Sequence, residues 1–257
     1  MLAKEREAEI LSQLKKHGAV TVSELVSRFG VSLETVRRDL LALEREGKLL
    51  RVHGGAVGHG RMSAELGFEE RHRTYEREKR ATALAALSLI ESGDVIAIDT
   101  GSTAIYLARE ILKSVENITV ITPSLEVFSI LSAKPSVRVI LTGGTYLPEE
   151  RCFIGALAEQ TVASVRVRTA FVFPTAISLE DGVTDFNEPL LSMQKALIAS
   201  SDRVCLVADS SKFEKRALYR LSALTPEQTV VTDAALSEEL AALYRENGLD
   251  LRIGEIQ

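Results

Sequence analysis

At 257 residues the chain is long enough for two domains, and its 46 % apolar and 26 % charged fractions exclude a disordered or collagen-like protein. No apolar run approaches the roughly 20 residues of a membrane span, and the charged start Met1-Leu2-Ala3-Lys4-Glu5-Arg6-Glu7 lacks the apolar core of a signal peptide, so a cytoplasmic protein with no membrane partner is expected. The net charge of −5 argues against a general nucleic-acid coat, but it is uneven: residues 1–60 hold 10 Lys and Arg against 8 Asp and Glu, whereas residues 61–257 hold 21 against 28.

Residues 4–17 predict a helix with Ile10, Leu11 and Leu14 facing inward and Gly18 ending it. Thr21-Val22-Ser23-Glu24 has the order of a capping box, with Leu25, Val26 and Phe29 on the short helix that follows and Gly30 closing it. Ser32 then caps a third helix by accepting from the amide near Thr35. On that helix Leu33, Val36, Leu40 and Leu43 form the expected buried stripe, leaving Glu34, Thr35, Arg37, Arg38 and Asp39 on the other faces. Two helices joined by three or four residues are a helix-turn-helix, and the arginines near the start of the second can reach base edges or phosphates in a major groove. Gly47 closes this helix, and residues 48–57 read as strand, glycine turn and strand, a wing on which Arg51 and His53 can touch the DNA backbone or minor groove.

Val31-Ser32 through Arg37-Arg38-Asp39-Leu40, with Leu43-Glu44, Gly47 and Leu50-Arg51-Val52-His53-Gly54-Gly55-Ala56, resembles the winged helix-turn-helix of DeoR-type bacterial transcriptional repressors. The resemblance implies that Ser32, Thr35, Arg37, Arg38, Arg51 and His53 contact double-stranded operator DNA. It also implies a second domain that binds a phosphorylated sugar or related metabolite.

Residues 58–63 are polar and glycine-containing, so the expected organisation is a winged helix-turn-helix at 1–57, a linker at 58–77 and a sensor and oligomerisation domain at 78–257. From residue 81 helices and strands alternate: strands at 94–99, 118–122, 137–142, 170–173, 203–208 and a last one at 229–232, with helices at 81–90, 104–112, 123–132, 156–163, 188–200 and 237–245. That alternation predicts an α/β fold with a mostly parallel sheet covered on both faces. Cys152 and Cys205 are read as buried small hydrophobes, and His17, His53, His59 and His72 show no metal-ligand spacing, so neither a disulfide nor a metal site is expected.

Ligands of an open parallel sheet bind beyond the C-terminal ends of its strands. Asp99-Thr100-Gly101-Ser102-Thr103 lies at such an end and has the parts of a phosphate cradle: a glycine for close approach, hydroxyl donors, and the free amides of a helix N-terminus. Gly143-Gly144 offers a second amide-rich turn, and Lys212 in Asp209-Ser210-Ser211-Lys212 a cation. Such turns also serve simply as helix caps. This half also resembles the DeoR sensor domain, whose fold is similar to ribose-5-phosphate isomerase and coenzyme A transferases. By that resemblance Gly101, Ser102, Thr103 and Lys212 hold the phosphate, and Asp99 and Thr122 shape the sugar pocket. The chain departs from the family at Pro123, Phe173-Pro174-Thr175-Ala176 and Arg168-Thr169, where Arg151, Asp185, Asn187 and Glu188 are candidate compensating contacts.

The expected protein is therefore a homo-oligomeric repressor, dimer or tetramer, with a phosphorylated sugar as effector and no cofactor or catalytic residue. A constitutive regulator whose pocket serves oligomerisation is the alternative. An isomerase-like enzyme is a further one, with carboxylates at Asp99, Asp181, Asp185 and Asp209 and a cation at Lys212.

Overall fold

The computed structural model describes residues 2–46, 48–52, 54–58 and 67–256. Its N-terminal head runs α1 (Ala3–His17), β1 (Ala19–Thr21), α2 (Val22–Phe29), α3 (Leu33–Arg45), β2 (Leu49–Val52) and β3 (Gly55–Gly58). Local chemistry sets the joints. Thr21 Oγ1 accepts from Glu24 N at 3.1 Å while the Glu24 carboxylate accepts from Thr21 N at 3.0 Å, and Ser32 Oγ accepts from Thr35 N at 3.2 Å. Gly30, at φ 64° and ψ 33°, turns the chain between α2 and α3 in the left-handed region where a side chain is disfavoured. The strands pair antiparallel in the order β1-β3-β2, so the expected wing forms. Ile10, Leu14, Leu25, Val36, Leu40, Leu43 and Leu49 make the core beneath it.

Two positions of α3 differ from expectation. Leu33, in the first turn, is 47 % exposed, and Asp39 is buried at 4 %. Asp39 lies three residues after Val36 and four before Leu43, within the inward stripe, and α1 supplies its counter-charge. Arg6 donates to it from Nε at 2.6 Å and from Nη2 at 3.0 Å. An acidic residue at a core position thus ties α1 to α3. Gly47 and His53, as well as residues 59–66 of the expected linker, lie outside the described residues.

The body begins with α4 (Phe68–Arg73) and α5 (Glu76–Leu87). Residues 68–77, expected as linker, pack on the body instead. Phe68 is buried, Tyr106 Oη donates to His72 O at 2.8 Å, and Arg71 pairs with Glu150 at 2.6 Å. Lys79, 2 % exposed, donates to Thr74 O at 2.7 Å and to Arg71 O, closing the C-terminal end of α4. The charged run is therefore partnered by the body as well as by solvent.

There follow β4 (Val95–Ile98), α6 (Ser102–Ser114), β5 (Ile118–Thr122), α7 (Leu125–Leu131), β6 (Val137–Leu141), β7 (Thr145–Leu147), β8 (Cys152–Ile154), α8 (Ala156–Ala163), β9 (Val167–Val172), β10 (Ala176–Ser178), β11 (Gly182–Asp185), α9 (Glu188–Ala199), β12 (Ser201–Val207), a 3₁₀ turn (Ser210–Lys212), β13 (Tyr219–Ser222), β14 (Thr229–Asp233), α10 (Glu238–Glu246) and β15 (Asp250–Gly254). Seven strands form one sheet in the order β15-β14-β12-β9-β4-β5-β6, parallel throughout. Alternate residues face opposite ways. Ile96, Ile98, Phe171, Cys205 and Val207 join one core with α5, α6 and α7, while Ala97, Ala170, Val172 and Leu206 join the other with α8, α9 and α10. The strand expected at 170–173 lies earlier, at Val167–Val172, and β15 follows the strand expected to be last. The antiparallel pieces β7-β8 and β10-β11-β13 were not anticipated, because runs of three or four residues carry too little periodicity to separate from loop.

Removing the carboxylate of Asp39 takes away the two hydrogen bonds by which the buried Arg6 guanidinium ties α1 to α3. Asp39→Ala is expected to lower the melting temperature of the head while the body transition stays in place, with partial recovery when Arg6→Met is added. Differential scanning calorimetry of the full chain reads both transitions.

Candidate functional site

The chain fills the sheet from β4 outward to β6, then returns across β4 to place β9 and the remaining strands on the other side. At that reversal α6 leaves β4 toward one face and the chain after β9 leads toward α9 on the other, so a crevice opens at the strand ends. It is walled by residues 100–103 after β4, 173–175 after β9 and Val207 at the end of β12 with Ala208, Asp209 and Lys212 beyond it, together with Asp185, Leu190 and Gln194, and by Arg71 and Glu150. Gly101, at φ 145°, starts α6, and a Cβ there would lie 3.2 Å from the Cβ of Phe173. Ser102 and Thr103 are the first two residues of this 13-residue helix, so its unpaired amides and positive dipole end adjoin the crevice.

Burial sets the electrostatics. Asp99, 1 % exposed, accepts from Thr100 N at 2.7 Å and from Gln194 Nε2 at 3.0 Å, yet desolvation outweighs those bonds and pushes its carboxyl up to about 7. Burial likewise raises Asp185. It lowers Lys212, against the pull of Asp209, and brings Lys79 down to about 8. Arg71 Nε, Gln194 Oε1 and Asp209 Oδ2 are buried with no hydrogen-bond partner among the described residues. The wall thus combines two cations, several carboxylates and unfilled polar valences, the chemistry of a site for a polar, anionic ligand. Among the described residues, no cluster of His, Cys, Asp and Glu is placed to hold a metal ion.

Of the expected effector residues, Thr100, Gly101, Ser102, Thr103, Asp185 and Lys212 meet in this crevice, and Asp99 supports it through Thr100 and Gln194. Thr122, Gly143 and Gly144 stand at the ends of β5 and β6, one and two strands beyond β4 at about 4.8 Å each. Thr122 Oγ1 accepts from Ser124 N at 3.1 Å, and a Cβ on Gly144 would lie 2.6 Å from Ile154 O, while a Cβ on Gly143 would meet nothing within 4 Å; none of the three lines the crevice. Arg151 is taken by Glu126 at 2.8 Å and by Glu69, with its guanidinium 5.0 Å from the Phe68 ring, and so holds α4 down. Asn187 N donates to Asp185 Oδ1 at 3.0 Å, and Glu188 accepts from Tyr219 Oη at 3.4 Å; neither lines the crevice. Sequence reasoning missed Arg71, Glu150, Thr175 and Gln194. A buried-polar signal was present at Gln194, on the inner face of a helix, but nothing in the sequence pairs it with Asp99.

On the head, Ser32, Arg37 and Arg38 are exposed and Thr35 is half-buried. Ser32 Oγ and Thr35 Oγ1 lie 2.9 Å apart, and neither arginine forms an ion pair with another described residue. Arg51 is held to α3: its amide donates to Glu44 Oε1 at 2.9 Å, and its guanidinium lies 3.9 Å from the other carboxylate oxygen. The body grips the head through Arg216. Its amide donates to His17 O, its Nη1 to Glu24 Oε1 and its Nη2 to Ala19 O, each at 3.1 Å.

Because the folded Asp99 carboxyl titrates near 7 and the unfolded one near 3.8, folding takes up a proton between those pH values. This group's contribution is fully present below the unfolded value and is lost as pH rises toward 7, with a slope of at most about 1.4 kcal/mol per pH unit. Asp99→Asn is expected to flatten that loss. Urea denaturation of both proteins at pH 5 and pH 7 measures it.

Residues 6–59 match the DeoR-like helix-turn-helix domain and residues 74–234 the DeoR C terminal sensor domain. The chain is 38 % identical over 236 residues, covering 92 % of it and 91 % of the relative, to the HTH-type transcriptional regulator YulB of Bacillus subtilis (strain 168). It is 34 % identical over 241 residues, covering 93 % and 94 %, to the lactose phosphotransferase system repressor of Lactococcus lactis subsp. lactis. Among solved structures it is similar to ribose 5 phosphate isomerase A from Neisseria gonorrhoeae, at 18 % identity and a TM-score of 0.40 over 54 % of this chain and 53 % of that one. No described helix is long and apolar enough to cross a membrane. The chain belongs to the DeoR family of helix-turn-helix transcriptional regulators.

Proposed function

We propose that this regulator is a cytoplasmic repressor of carbohydrate genes whose operator affinity is set by a phosphorylated sugar in the sheet-end crevice. The observation that carries the reading is the convergence of the α6 N-terminus, Arg71 and Lys212 on one partly enclosed space. A helix N-terminus and two cations suit a phosphate, and the carboxylates beside them suit sugar hydroxyls. The similarity to a lactose-system repressor supports a sugar-linked target. Ser32, Thr35, Arg37 and Arg38 read the major groove, and Arg51 and His53 meet the DNA from the wing. Two heads per operator give the two-fold match that such sites require, so the working form is a dimer or tetramer.

The coupling follows from the same geometry. A phosphate held by Arg71 and Lys212 competes with Glu150 for the Arg71 guanidinium. The parts that yield are the Arg71–Glu150 bridge and the turn carrying Lys212. Four residues past Lys212 is Arg216, whose guanidinium holds the head. A ligand that moves Lys212 therefore biases the placement of the heads, with release from DNA as the outcome.

Fluorescence anisotropy on the chain's own upstream DNA tests this, with glucose-, fructose-, ribose-, glucosamine- and glycerol-type phosphates titrated in and the parent sugars as controls. A change in affinity with a phosphate and none with its sugar is expected; DNA binding indifferent to every phosphate would favour a constitutive regulator. Arg38→Ala is expected to weaken operator binding roughly tenfold with an unchanged melting temperature. Arg216→Ala is expected to keep effector binding, measured calorimetrically, while the effector's influence on operator affinity shrinks toward none.

A further inference from the structure

Gln194 is 1 % exposed on α9 and lines the crevice. Its Nε2 donates to Asp99 Oδ2 at 3.0 Å. With Nε2 given to Asp99, Oε1 is left buried with no hydrogen-bond partner among the described residues. Asp209, also 1 % exposed, accepts from Ser211 on Oδ1 and leaves Oδ2 unfilled. Both orphan atoms can only accept. They are answered by a ligand that brings O–H or N–H groups, not by one that brings another acceptor. The acids Asp185, Glu150 and Asp209 share this wall with the cations Arg71 and Lys212. One anionic group meets the cations and the α6 N-terminus; a second would face buried carboxylates.

We propose that Gln194 is a specificity-determining residue of the effector site, accepting a hydrogen bond on Oε1 from a hydroxyl or amino group of the ligand, so that the effector is a sugar monophosphate whose far end is neutral or cationic. Phosphorylated sugar acids and sugar bisphosphates are rejected by the same wall. The inference rests on the phosphosugar reading above and adds which end of the ligand is read, and by what. A site that uses its buried polar groups in this way discriminates strongly, because the wrong ligand leaves those groups unpaired.

The test has a ligand arm and a protein arm, both by isothermal titration calorimetry on the full chain. In the first, the wild-type protein is titrated with inorganic phosphate, with glucose, fructose, ribose and glucosamine monophosphates, with 6-phosphogluconate and with fructose 1,6-bisphosphate. The best monophosphate is expected to bind at least tenfold more tightly than either doubly anionic compound. In the second, Gln194→Met, which keeps the side-chain length and removes the acceptor together with the donor to Asp99, is expected to weaken that monophosphate at least tenfold while inorganic phosphate, which reaches only the cations and the start of α6, binds as in the wild type. Equal binding of the monophosphate to both proteins, or tighter binding of the sugar acid or bisphosphate, overturns the proposal with the phosphosugar reading intact. If neither inorganic phosphate nor any sugar phosphate binds the wild type, the phosphosugar reading falls and this inference with it. Should Gln194→Met fail to fold, Gln194→Asn, which draws the acceptor back by one methylene, takes its place with the same expected outcomes.

Discussion

The structure depends on one reversal in the order of its parallel sheet. The chain builds β4, β5 and β6 in one direction and then sets β9, β12, β14 and β15 on the other side of β4. Parallel strands require crossovers, and crossovers on the two sides of the reversal lie on opposite faces, so the loops after β4 and β9 must part. The gap between them is the only requirement for a crevice at that edge. Once it exists, the start of α6 faces it without further design. The polar residues that follow β9 and β12 become its wall because those strands are the next two in order.

Placing charged groups in such a gap has an electrostatic cost that the fold meets by pairing. Asp99 is sunk beneath the crevice floor, where burial favours its protonated form, and is held by Thr100 and Gln194. Lys79 is buried behind α4 and spends its donors on the carbonyls of Thr74 and Arg71. It thereby fixes the short helix that carries Arg71 to the rim. Arg151, stacked over Phe68 and paired with Glu69 and Glu126, fixes the same helix from the other side. A six-residue helix has little stability of its own. Its position is imposed by these contacts, which makes it responsive to anything that competes for Arg71.

Head and body are joined by more than the connecting chain. Arg216 reaches Glu24, at the start of the first helix of the helix-turn-helix, and the carbonyl of Ala19. Leu218 stands against Gly55 in the wing hairpin. The segment that makes these contacts begins at Lys212 in the crevice wall. The crevice and the helix-turn-helix head therefore share a single stretch of backbone, the link on which the coupling proposed above rests.

Much of this was legible in the sequence, and the boundary follows the range of the interactions. The capping box at Thr21 and Glu24, the cap at Ser32, the left-handed Gly30 and the helix-strand alternation of the body are local, three- and four-residue or two-residue periods, and the chain alone determined them. The start of α6 was also readable, since a Gly-Ser-Thr at a strand end carries its chemistry within itself. What the sequence left open is whatever depends on strand order. Gly143-Gly144 reads as a second amide-rich turn and Thr122 as part of the sugar pocket, and only the sheet order sets them one and two strands beyond β4. Arg151 looks like a free cation until Glu69 and Glu126 are brought to it. Asp39 looks like a surface residue until α1 delivers Arg6. Gln194 gains its meaning from Asp99, 95 residues earlier in the chain. Each of these was decided by tertiary structure alone, because the partner that fixes a buried charge or amide lies on another element and leaves no trace in the local pattern.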